Sequence, residues 1–221
     1  MTRDRANLLS YLFIVAAVSV AALLYPSLPD PMPSHWNVHG EVDGYMPKPW
    51  GVAILPLSAI LVFVVMRLIP VISPKGYRIE PFANVMRIFQ VTMVGFMSLV
   101  AILVLLEAKG INVYINRVIF AALGALFIVM GNYFGKIRKN FFLGIRTPWT
   151  LASDEVWART HRLAGRLFVL LGIFMLAGIL VTLPSWLWVG MIGVIVLVPV
   201  VYSYLAYRRL RGLGTMGGFG R

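Results

Sequence analysis

The chain has 221 residues, 60% of them hydrophobic and 13% charged, with a formal net charge of +12. A soluble domain carries about twice that share of charge. The absence of cysteine excludes disulfides, thiolate nucleophiles and thiolate metal sites. In a soluble protein the positive charge would point toward nucleic acid. Here the apolar residues run in blocks long enough to cross a hydrocarbon core, which takes about 20 helical residues. The charge is therefore read through the positive-inside rule, and no direct nucleic-acid binding is expected.

The first block, residues 8–25, follows Arg3 and Arg5. It is longer than the apolar region of a signal peptide and ends in Leu24-Tyr25-Pro26 instead of a small-residue cleavage site, so it is expected to stay as a span. Residues 26–50 carry six prolines. Each fixes φ and removes a donor, so no regular helix forms there. The second block is 51–69, with Pro56 near its first turns, where a missing donor matters least. A basic loop, 70–83, leads to the third block, 85–106, and a short polar turn leads to the fourth, 118–134. Residues 135–162 form the longest polar stretch. The fifth block, 163–183, and the sixth, 186–207, are separated by Pro184-Ser185, and Pro199 is expected to kink the sixth. The tail, 208–221, holds four arginines and five glycines and reads as flexible.

With the N-terminus inside, six spans leave seventeen basic residues on the cytoplasmic side and three outside. That asymmetry fixes the orientation, N-in and C-in. Tyr25, Trp50, Trp186 and Trp188 fall at the outer ends, where amphipathic rings favour the interface. The expected fold is an all-α integral protein of the plasma membrane, a bundle of about six transmembrane helices. Residues 1–110 form an N-terminal membrane module, 111–207 a C-terminal one, and 208–221 a basic tail. No ionisable residue stands in the middle of any block, which argues against a proton or ion pump. Gly131, Gly135, Gly165, Gly172 and Gly178 read as sites of close helix packing.

Two loops carry the chemistry. In the outer one, His35, His39, Glu41 and Asp43 place four potential metal ligands within nine positions. Their spacing matches no zinc motif. Gly40 and Gly44 suggest turns, which Asn37 and Asp43 can close with side-chain hydrogen bonds. A turn-rich folded cap is the expectation, with a ligand-binding surface at His35, Asn37, Gly40 and Asp43. A metal at the four candidates is the alternative, and no cofactor is expected.

In the inner loop, Ser153 is a natural N-cap, with Asp154 and Glu155 in the first turn and Arg159 four residues after Glu155. Trp157, His161 and Ala164 share one stripe, and Val156, Thr160 and Leu163 another. This helix is expected to lie along the inner interface before turning in as the fifth span. Upstream, Asn140, Gly144 and Arg146-Thr147-Pro148-Trp149 read as a structured turn, since Pro148 restricts Thr147 to extended geometry. Lipid anchoring by arginines and aromatics is the plainer alternative. Neither loop holds a Walker loop, a dinucleotide fingerprint, a nucleophile elbow or a zincin helix.

Over residues 131–172, Gly-Asn-Tyr-Phe-Gly-Lys-Ile-Arg-Lys-Asn, Gly-Ile-Arg-Thr-Pro-Trp-Thr-Leu and Val-Trp-x-x-Thr-His-Arg-Leu-Ala-Gly resemble the SdpI family of bacterial membrane proteins. The first span and the stretch Pro-x-His-Trp-Asn-x-x-Gly-x-x-Asp-Gly-Tyr are similar to the uncharacterised domain that often precedes it. The resemblance implies an immunity protein against a secreted toxic peptide. For the best-known member it also implies that toxin recognition lets the membrane protein hold a small transcriptional repressor at the membrane.

The leading expectation is thus a non-enzymatic receptor. Its outer loop would meet an extracellular peptide or lipid. Its inner loop, at Asn140, Gly144, Arg146, Thr147, Pro148, Trp149, Trp157, Thr160 and His161, would meet a cytoplasmic partner. A transporter or flippase, hinged at Pro199 and the glycines, is the second class. A membrane enzyme with His161 as base, beside Ser153, Asp154 and Glu155, is the third.

Overall fold

The computed structural model describes residues 1–37, 41–74, 79–179 and 184–216. His39, Gly40, Lys75, Arg78 and the end of the fifth block therefore lie outside the described residues, as do 217–221. In chain order the elements are α1 (Arg3–Leu24), β1 (Met32–Trp36), β2 (Val42–Met46), α2 (Lys48–Ile72), α3 (Ala83–Ala108), α4 (Ile115–Phe134), α5 (Pro148–Ala152), α6 (Asp154–Ala177) and α7 (Ser185–Met216). Among the described residues six helices, all but α5, are long and apolar enough to cross a membrane. The chain is a multi-pass, all-α membrane protein.

Lipid tails are as apolar as leucine, so helices in a bilayer associate through close packing and polar ties. Both devices are visible. In α1 the buried positions are Ala6, Ser10, Ala17 and Ala21, whereas Leu8, Leu12, Val15 and Leu23 are exposed. The small face packs on α3 and the large residues face outward. Gln90 of α3 donates to Ser10 Oγ at 3.1 Å, and Ser10 donates to the Ala6 carbonyl at 2.8 Å. A search for ionisable groups alone passes over this uncharged tie. The N-terminal amine also donates to Asn84 at 2.8 Å, fixing the start of α1 against α3.

Between α4 and α6 the contact is made by backbone. A Cβ on Gly131 would stand 2.6 Å from the Gly165 carbonyl oxygen, and one on Gly165 equally close to that of Gly131. About two turns along, Gly124 and Gly172 repeat the arrangement at 2.8 and 2.5 Å. Three of these glycines follow the small-residue expectation, and Gly124 joins them.

A core at the basic end unites the two halves of the chain: Met66 and Ile69 of α2, Phe82, Val85 and Phe89 at the start of α3, and Phe134, Ile137, Trp157 and Ala164. At the opposite end a smaller core gathers Ala21, Leu28, Met32, Val52 and Leu105.

Four features depart from the sequence expectations. The outer loop contains an antiparallel hairpin, β1 with β2, pairing Met32 with Met46 and Trp36 with Val42. α2 begins at Lys48, since Pro49 in its first turn gives up no helical hydrogen bond. The helix capped by Ser153 and the fifth span are one continuous element, with no turn between them. α6 starts at Asp154 and runs on unbroken, because no residue interrupts its hydrogen bonding once Ser153 has capped it. Only α5 stands apart, cut off by the extended backbone of Ser153. Finally, α7 runs on to Met216, into the stretch read as a flexible tail.

Candidate functional site

The inner loop is built around Asn140, which is wholly buried. Its Oδ1 accepts from the Phe142 and Leu143 amides at 2.8 and 2.7 Å, and its Nδ2 donates to the Arg138 and Leu143 carbonyls at 2.8 and 3.1 Å. The side chain thus supplies the hydrogen bonds that this irregular backbone cannot make with itself. Gly144 follows with φ of +106°, a conformation that L side chains rarely adopt. A Cβ there would overlap His161 Nε2, so glycine is required twice over.

His161 lies on α6, buried beneath the loop. Its Nε2 accepts from the Ile145 amide at 3.0 Å, and Nδ1 donates to the Trp157 carbonyl at 2.8 Å. An amide can only donate, so the ring proton must sit on Nδ1. The imidazole is stacked between Trp157, with centroids 4.1 Å apart, and Phe134, at 5.3 Å. Trp157 Nε1 in turn donates to the Ile137 carbonyl at 2.8 Å. Both nitrogens of His161 are engaged, so it does not stand free as a base.

The next segment fastens the loop to α7. Thr147 caps α5 by accepting from the Thr150 amide at 3.2 Å, and Thr150 Oγ1 reaches the Ile145 carbonyl at 2.9 Å. Pro148 occupies the first helical position. Trp149 Nε1 donates to Ser203 Oγ on α7, and Thr147 Oγ1 lies 3.3 Å from the same oxygen. Ser203 spends its own proton on the Val200 carbonyl at 2.6 Å. No sequence signal pointed to Ser203, which is far along the chain. Arg146 is exposed, and its guanidinium donates back to the Phe141 carbonyl.

The structure therefore brings the inner-loop candidates together and divides their roles. Asn140, Trp157, Thr160 and His161 are buried, and the Thr160 hydroxyl has no hydrogen-bond partner among the described residues. Asn140, Trp157 and His161 shape the loop from within. Phe141, Arg146 and Pro148 are the exposed residues a partner would meet.

On the hairpin the arrangement is the reverse. His35 Nδ1 pairs with Asp43 Oδ1, and both side chains are largely open to solvent. The turn closes as Asn37 donates its amide to the Glu41 carbonyl at 2.9 Å, while its Oδ1 accepts from the Glu41 amide at 3.0 Å. Asn37 closes a turn as the sequence suggested, whereas Asp43 is turned to His35 instead. Glu41 also accepts from Asn37 Nδ2 at 2.9 Å. Two of the four candidate metal ligands thus pair with each other, one is held by Asn37, and His39 lies outside the described residues. The hairpin is seated by Met32, which is fully buried. A Cβ on Gly51 would stand 2.8 Å from the Met32 Cβ, so glycine makes room for this plug.

Comparison with known proteins places both loops in recognised segments. Residues 136–203 match the SdpI/YfhL protein family, from the start of the inner loop to its anchor Ser203. Residues 12–60 match a domain of unknown function, DUF1648, which takes in the hairpin and its seat on α2. The chain is 25% identical over 212 residues to the immunity protein SdpI of Bacillus subtilis (strain 168), covering 94% of this chain and 99% of that one. No solved structure matches the chain significantly. The family resemblance carried by the two loops holds, and the chain joins a DUF1648 segment to an SdpI/YfhL-family segment within one membrane bundle.

Proposed function

We propose that this chain is a membrane immunity protein of the SdpI type, a receptor that protects its cell from a secreted toxic peptide without catalysing a reaction. The observation that carries this reading is the similarity to an immunity protein along 94% of the chain, including both loops. The hairpin offers exposed, mutually paired polar side chains at His35 and Asp43, a surface suited to a peptide. At the other end lies the inner loop, whose basic surroundings assign it to the cytoplasm. It rests on a core shared by α2, α3, α4 and α6, so a change in helix packing would reach it. Its exposed Phe141, Arg146 and Pro148 would then meet a soluble partner such as a small repressor. The test is to express the chain in cells sensitive to such a peptide and to measure survival and membrane-bound peptide. Protection with retained peptide is the expected result. Unprotected cells whose membranes bind no more peptide than before would count against the proposal.

A further inference from the structure

We propose that the groove running from the inner loop along the α4–α6 contact binds one anionic phospholipid of the bilayer. A cavity of about 1020 Å³ opens beside the loop, and Lys136, Arg138, Lys139 and Arg162 contribute its cations. The acid on its wall, Asp154, is already paired with Lys139 at 2.8 Å. Among the described residues no carboxylate neutralises the other three cations. Lys136 Nζ lies over the Tyr133 ring at 4.7 Å, which leaves its charge uncompensated by any acid. Arginine and lysine without a carboxylate around a concave site suit a phosphate, to which guanidinium can present two parallel donors.

A second cavity of about 690 Å³ adjoins the first, sharing Lys136 and Arg162 and adding Arg166. Away from the cations it passes Gly131 and Gly165 to reach Val169 and Leu170. Leu170 is 62% exposed, so this end opens toward hydrocarbon. Gly131 and Gly165, where the two backbones touch, line this part of the groove. At Gly135 a Cβ would stand 3.1 Å from Arg162 Cγ, so the arginine stem can lie over the chain there. Cations at one end and an apolar channel at the other match a phosphate carrying an acyl chain. A free phosphate would use only the first half. Basic pockets between transmembrane helices on the cytoplasmic side are known to take anionic headgroups. The inference is independent of the proposed immunity role.

Native mass spectrometry of the full chain in detergent tests it. The probes are phosphatidylglycerol, phosphatidylcholine with the same acyl chains, and inorganic phosphate. Phosphatidylglycerol is expected to bind at least about tenfold more tightly than phosphatidylcholine, and excess phosphate should not displace it. Replacing Lys136 and Arg162 together by Gln should remove that preference. Arg67→Gln, which changes a cation in a separate cleft at the same end of the bundle, should leave it intact. If the double variant does not fold, Leu170→Trp fills the apolar end without touching charge and should weaken phosphatidylglycerol binding. Equal binding of the two lipids, unchanged binding in the variants, or displacement by inorganic phosphate would overturn the proposal.

Discussion

The two loops carry similar residues, histidine, asparagine and aromatics among turns, yet they use them in opposite ways. On the hairpin the polar side chains point outward and pair with one another, while one buried methionine fastens the whole element to α2. In the inner loop the polar side chains are buried and hold backbone, while arginine and proline are left at the surface. Motif residues in a loop therefore need not be the residues a partner touches. At the hairpin a substitution should alter a surface and little else. At the inner loop it should alter the shape of the surface by way of the protein's stability.

The sharpest way to break this contrast is at Gly144. Gly144→Ala must place a side chain at φ of +106° and against His161 Nε2, displacing the hydrogen bond from Ile145. Backbone strain and the lost partner together should cost about 3–5 kcal/mol. A thermal melt of the purified protein in detergent should show the midpoint lowered by on the order of 10 °C. A melt within a degree of the wild type would mean that the loop is not held by this contact. Asn140→Ala comes next. It strands two amides and two carbonyls in a buried place, for an expected loss of about 2–4 kcal/mol. Tryptophan fluorescence should follow the same melt, since Trp157 is packed in the core beneath this loop.

How far the sequence revealed these elements depends on the range of the forces involved. The spans were legible because each is specified by its own composition, through long uncharged stretches such as residues 88–106. The cap at Ser153 and the Glu155–Arg159 pair were legible for the same reason, being made within a turn of helix. The hairpin was not. Prolines at 31, 33, 47 and 49 dominate its composition, while its seat depends on Met32 meeting Gly51. The residues of the inner loop could be named but not oriented. Whether His161 faces water or the Gly144 backbone is decided by a loop seventeen positions upstream, and Ser203 enters only because α7 packs beside α5. Periodicity reports faces of helices. It says nothing of which side chain will meet a distant carbonyl.

The smallest stability effect is expected at the hairpin, and it is the most informative about function. Asp43→Asn removes the charge facing His35 while keeping size and hydrogen-bonding capacity. Both side chains are well exposed, so solvent screens the pair and stability should change by less than about 1 kcal/mol. If the outer surface recognises a peptide, the variant should melt like the wild type yet give weaker protection in the survival assay. A variant that melts as low as Asn140→Ala would show that the hairpin's polar pairs hold structure as the inner loop's do, and the division between the two loops would fail. A variant that melts normally and protects fully would keep the division but move recognition away from this pair, to the exposed rings of Tyr45 and Trp50.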